Sequence, residues 1–190
     1  MKNILKLVGL AMFTLSTSQF ALAESVTLKF HTFVPMPANS NAKFVKPWAD
    51  KVASESNGEI KVEMYPSMQL GGAPPQLVDQ VRDGVVDIVW TVAGYTPGRF
   101  PRLEVFELPF MPATATATSQ AIQEYVDTVA AEDLKDYKVL AVHVHAPGKI
   151  HTKNRLIKSA SDLKGLKMRG PTRPITQMLE KLGATPVGMP

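Results

Sequence analysis

Arg169 stands where a short apolar run gives way to Gly170-Pro171-Thr172 and a helical pattern begins. A strand end that leads into a helix start brings free backbone N–H groups beside a guanidinium, and both favour an anion. The planar guanidinium also offers two parallel N–H donors to a carboxylate, a fit that a lysine ammonium cannot reproduce. Arg173, one helical turn further on, is a second candidate cation. The competing reading of either is a solvated side chain in a weak surface ion pair. His143 and His145 lie two apart in a β-prone run and would share one face, with His151 close behind. Two such imidazoles can ligate a metal, but no cysteine and no HExxH pattern supports a third ligand. These histidines are therefore expected to make hydrogen bonds or contribute to a pocket wall, and no cofactor is expected. His31 reads as structural.

Other chemistries are excluded more simply. The chain has no cysteine, which removes disulfide frameworks, thiolate metal sites and cysteine nucleophiles. It has no GxSxG elbow, Walker loop or GxGxxG fingerprint, and no recognisable pair of catalytic carboxylates. Of the 190 residues, 21 are Lys or Arg and 17 are Asp or Glu, a formal charge of +4. Lys2 and Lys6 belong to a segment expected to be removed, which leaves 19 against 17 with the signs interspersed. Nothing resembles the basic stripe that a phosphate backbone requires, so nucleic acid is not an expected partner.

That N-terminal segment has the parts of an export signal. Lys2 and Lys6 form a positive region, Leu7 to Leu15 an apolar one, and Phe20-Ala21-Leu22-Ala23 ends in a small-x-small pattern. Polar Thr14, Ser16, Thr17, Ser18 and Gln19 interrupt the run well short of the roughly 20 apolar residues of a spanning helix. Residues 1–23 are expected to be a cleaved signal peptide, which would place the mature chain outside the cytoplasm, in the periplasm.

The elements that must position Arg169 alternate. Val26 to Val34 reads as a strand, Phe44 to Val52 as a helix that Asn57-Gly58 stops, and Glu59 to Tyr65 as a second strand. Gly71-Gly72 and Pro74-Pro75 lead to a helix from about Gln76 to Asp83, and Asp87 to Ala93 reads as a central strand, apolar on both faces. Gly94 to Pro112, with four prolines, is expected to wrap the domain irregularly. A helix through Ala117 to Val129, a long strand at Tyr137 to His145 and a short one at Lys149 to Lys153 follow. The remainder reads as a helical turn at Asp162 to Gly165, a strand at Leu166 to Arg169, a helix ended by Gly183 and a strand at Ala184 to Met189. Such alternation predicts an α/β protein with largely parallel sheets. The chain stops where a strand should hand over to a helix, so a truncated sheet is expected.

Five segments taken in order carry a resemblance: the signal peptide, SNGEIKVEMYPSMQLG (56–71), RDGVVDIVW (82–90), VFELPFM (105–111) and DLKGLKMRGP (162–171). Together they resemble the DctP-type family, the periplasmic substrate-binding components of tripartite ATP-independent periplasmic (TRAP) transporters. The resemblance implies a two-lobed periplasmic-binding-protein-like fold that closes around a small organic acid and delivers it to membrane permease subunits. It further implies a first lobe over residues 24–146 and the beginning of an incomplete second lobe over 147–190. Arg169 matches the family arginine of the LKxR segment that pairs with the substrate carboxylate. Relatives that bind larger polar acids carry another arginine where this chain has Lys149, a candidate ligand-binding residue whose charge could complement a carboxylate but without bidentate geometry, the competing reading being a surface lysine.

The opposite wall would come from strand ends, where open α/β sheets bind ligands. Phe33 follows the first strand, Ala73 opens a helix, and Trp90, Thr91 and Val92 lie toward the end of the central strand. Sugar-acid binders of the family place polar groups near these points, whereas Phe33, Ala73 and Val92 are apolar. The expected ligand is therefore an acid with an apolar or aromatic body, such as a keto, branched or aromatic monocarboxylate. Trp90 and Phe33 are candidate stacking faces, and Tyr95 a weaker one. Trp90 reads equally well as core. The rival functions are an exported metal-dependent hydrolase using the histidines and a binding protein serving a sensor.

Overall fold

The computed structural model describes residues 25–190, so the expected signal peptide lies outside the described residues. Two parallel sheets form, and each has its own apolar cluster. The first sheet has β1 (Val26–Thr32) at its centre, flanked by β2 (Ile60–Tyr65) and β3 (Ile88–Trp90). Both neighbours run parallel to β1, with His31 opposite Tyr65 on one side and Val89 on the other. Parallel neighbours require crossovers, and two helices supply them: α1 (Lys46–Glu55) and α2 (Leu77–Arg82).

Local chemistry explains the joints. A five-residue π turn at Asn41–Val45 precedes α1, and Pro47 falls in the first helical turn, where its missing N–H costs nothing. Proline therefore starts the α-helix instead of kinking it. Asn41 is fully buried and donates from Nδ2 to the carbonyls of Val34 and Pro35, at 2.9 and 3.2 Å, fixing the chain just beyond β1. His31 is also fully buried. Its Nε2 accepts from the Leu70 amide at 3.3 Å, which leaves Nδ1 to donate to Gln80 Oε1 at 2.7 Å. Gln80 in turn donates to the Gly71 carbonyl at 3.1 Å. One imidazole thus ties β1 to the loop that precedes α2, in the structural role expected of it.

A helix α3 (Ala115–Thr128) follows, with the Thr114 hydroxyl accepting from the Ala117 amide. Its Ile122 and Val126 join Val78, Phe100, Leu103 and Ala130 in the first cluster. The second sheet pairs β4 (Lys167–Gly170) with β5 (Thr185–Gly188), connected by α4 (Arg173–Lys181). Leu163, Leu179 and Ala184 form its separate core.

Three strand expectations are corrected. The strand at Asp87 to Ala93 shortens to Ile88–Trp90 and lies at the sheet's edge, because β1 holds the centre. Tyr137 to His145 is not a strand. Val139, Val142 and Val144 pack against the first core, so the apolar pattern was real. However, the amides of Val142 and Val144 bond to Gln123 Oε1 and Ser119 Oγ of α3 instead of a neighbouring backbone. Lys149 to Lys153 likewise forms no strand. The proline-rich stretch is more ordered than expected, with 3-10 turns at Ala93–Tyr95 and Leu103–Glu107.

Candidate ligand-binding site

The ends of β1 and β3 bring four rings together. Phe33 lies against Trp90 with centroids 5.6 Å apart and planes 26° apart, and Tyr95 tilts onto Phe33 at 5.4 Å. His143, on the extended segment beside β3, is aligned with the Trp90 plane to within 12°. The Trp90 Nε1–H donates to His143 Nε2 at 3.0 Å. This bond holds the imidazole at the indole's N–H edge, with the centroids 5.6 Å apart and the two planes nearly parallel. Phe33, Trp90 and Tyr95 are half-buried, so they are not sealed in the core.

Tyr95 also lines a cleft of about 390 Å³, together with Pro97, Gly170 to Arg173, Thr176 and Gly188 to Pro190, whereas Phe33, Trp90, His143 and Arg169 are not among its lining residues. Tyr95 therefore links the ring series to the start of α4. Arg169 lies on β4, exposed, immediately before this lining. Its Nε donates to the Met189 carbonyl at 2.7 Å, and its two Nη groups have no partner among the described residues. Thr91 is half-buried directly after Trp90. Ala73 caps a 3-10 turn at Pro74–Gln76, its amide bonded to Gln76 Oε1 at 2.7 Å, and is not part of the ring series. Lys149 is exposed in irregular chain and is not among the residues that line the cleft. Among the described residues no three His, Cys, Asp or Glu side chains come together as a metal site. His143 is engaged by Trp90, and His145 Nδ1 bonds the Ala146 carbonyl at 2.6 Å.

Sequence reasoning missed two carboxylates that meet the start of α4. Arg173 Nε and Nη2 reach Glu104 Oε2 at 3.1 and 2.6 Å, so this cation already has an anion. Buried Thr172 donates its hydroxyl to Glu107 Oε2. The two pairs join the 3-10 turn at Leu103–Glu107 to the start of α4, and so join the two sheet units. The only local signal was that Glu104 and Glu107 lie three apart, on one face of a helical turn.

Burial pushes the Glu107 carboxyl above its ordinary value, opposed by the Thr172 hydrogen bond, with the Glu104 charge pushing the same way as burial. An acid whose pKa is raised on folding favours the folded state while protonated, and loses that contribution as pH rises through the raised value. Glu107→Gln keeps an acceptor for Thr172 but cannot ionise. The melting temperature of the variant relative to wild type is expected to climb from acid toward neutral pH, as read by thermal denaturation from pH 4 to 8.

The family model for bacterial extracellular solute-binding protein, family 7 (DctP) matches residues 32–190. The chain belongs to this family. Among solved structures, a marine metagenome TRAP solute-binding protein specific for aromatic acid ligands, in complex with 3-hydroxybenzoate, is 83% identical with a TM-score of 0.85. The match covers 88% of this chain and 52% of that one. A TRAP solute-binding protein from Rhodoferax ferrireducens T118, in complex with copurified benzoate, is 61% identical with a TM-score of 0.84, covering 87% and 52%. The 2,3-diketo-L-gulonate-binding periplasmic protein YiaO of Escherichia coli is 28% identical over 185 residues, 96% of this chain and 54% of that protein. The chain thus spans about half the length of these DctP-family relatives. The likeness settles the fold as that of TRAP periplasmic binding proteins, with parallel sheets and part of the second unit.

Proposed function

We propose that this chain is the N-terminal part of an extracytoplasmic solute-binding protein that captures a small aromatic carboxylate and delivers it to the permease subunits of a TRAP transporter. The observation that carries this reading is the near-parallel Trp90–His143 pair backed by Phe33 at the ends of β1 and β3. Apolar, half-buried rings suit the face of an aromatic body and offer the hydroxyls of a sugar acid few partners. The aromatic acids bound by the marine and Rhodoferax relatives support the same ligand class. Arg169, whose two Nη groups have no partner among the described residues, lies on β4 next to Gly170 of the cleft lining and would supply the charge for the carboxylate. Lobes at 24–146 and 147–190 would close on the ligand, since an acid that touches both shifts the open-closed population. Export by residues 1–23 brings the protein to the periplasm.

The test uses these residues continued by the C-terminal part of the marine relative, so that both lobes are complete. In a thermal-shift panel, benzoate, 3-hydroxybenzoate and mandelate are expected to raise the melting temperature, and four-carbon dicarboxylates and sugar acids are not. The 190-residue chain alone is expected to bind the same acids weakly or not at all. A panel in which only sugar acids stabilise the completed protein refutes the aromatic reading.

A further inference from the structure

The Trp90 indole is a donor only, so its bond to His143 Nε2 determines where the imidazole proton sits. Nε2 must present its lone pair, and the neutral ring therefore carries its hydrogen on Nδ1. That Nδ1 has no partner among the described residues, and His143 is exposed at the outer end of the series Tyr95, Phe33, Trp90, His143. The aromatic wall thus ends in a neutral N–H whose direction is held by the indole. A cationic imidazole would donate from both nitrogens and could not accept from Trp90, so this geometry does not offer a second charge for a carboxylate. A neutral donor at the rim of an aromatic surface instead rewards an uncharged oxygen.

We infer that His143 is a specificity-determining residue, its Nδ1–H reading a hydroxyl or ether oxygen on the ring of an aromatic acid. This rests on the aromatic-acid reading above and adds a selection within that class. The ring face and the carboxylate give affinity to any benzoate-like acid. His143 separates an oxygen-bearing ring from one that carries a methyl group of similar size, because only the oxygen can accept.

Isothermal titration of the completed protein with 3-hydroxybenzoate and 3-methylbenzoate tests the point. Wild type is expected to prefer the hydroxy acid by about tenfold, the scale of one neutral hydrogen bond. His143→Phe keeps a flat ring beside Trp90 but has no donor, and should bring the preference to within about twofold. His143→Gln can accept from Trp90 and still donate, and should restore most of the preference. An unchanged preference in His143→Phe overturns the proposal. So does loss of 3-methylbenzoate binding in both variants, since His143 would then be a packing element. If wild type binds neither acid, the aromatic-acid reading fails, and the inference fails with it.

Discussion

Arg169→Lys is expected to weaken binding of an aromatic acid by about 1.5–3 kcal/mol, the worth of a hydrogen bond to a charged group, or roughly ten- to a hundredfold in Kd. The reason lies in how the guanidinium is held. Its Nε is occupied by the Met189 carbonyl at the β4–β5 end, and its two Nη groups have no partner among the described residues, so in the proposed site they would be the donors to a carboxylate. A lysine ammonium has no geometry that keeps the Met189 contact and also presents two parallel donors, so the variant must give up one of them. Charge is conserved, so a general electrostatic attraction would survive the change while a bidentate grip would not. An arginine that merely sits on the surface would tolerate lysine, because exposed pairs contribute at most about 1 kcal/mol. Titration with benzoate, together with a melting temperature close to wild type, separates the two cases. Wild-type affinity in the lysine variant removes Arg169 from the site.

What the sequence could reveal about that site follows from the range of the interactions. The elements around Arg169 were legible because their signals are local: the apolar spacing of Ile175, Met178, Leu179 and Leu182, the Gly183 stop, and the Gly170-Pro171-Thr172 turn all lie within fifteen residues. Tyr137 to His145 was misread for a related reason. Alternation records which side chains face a core, and Val142 and Val144 do, but it is silent on whether another backbone lies alongside. Asp87 to Ala93 looked central because apolar residues cover both faces, whereas strand order depends on which crossover packs where. Glu104 and Glu107 were invisible as site residues. Carboxylates in a proline-rich stretch look solvated, and their partners Arg173 and Thr172 come 69 and 65 positions later. The same distance hid the fact that Arg173 arrives already paired. Trp90 carried two readings, core and wall, and the half-buried ring beside His143 combines them.

Gly94→Ala is expected to cost about 1–3 kcal/mol of stability, the usual range for forcing an extra methyl into a packed site. Gly94 is buried in the 3-10 turn after β3, and a Cβ there would collide with Glu107 Oε1 and meet Thr172 Cγ2 at 2.5 Å. Its φ is not among the positive values, so alanine pays no backbone penalty and by chain entropy alone should stabilise. The cost is therefore steric, and it falls on the joint where Glu107 receives the Thr172 hydroxyl and Glu104 holds Arg173. A methyl group at this point must push the start of α4 away from the first sheet unit. The cleft is lined by Tyr95 on one side of that joint and by Gly170 to Arg173 on the other, so it should widen as the joint opens. Ligand affinity should fall together with stability. Denaturant titration provides the check through a triple variant: with Glu107→Ala and Thr172→Ser removing the two nearest atoms and leaving only Thr172 Cβ close, at 3.0 Å, the Gly94→Ala penalty should shrink by more than half, since contacting residues couple and distant ones do not. A penalty of the same size in that background would mean that the joint yields elsewhere, and that Gly94 does not set the spacing between the two units.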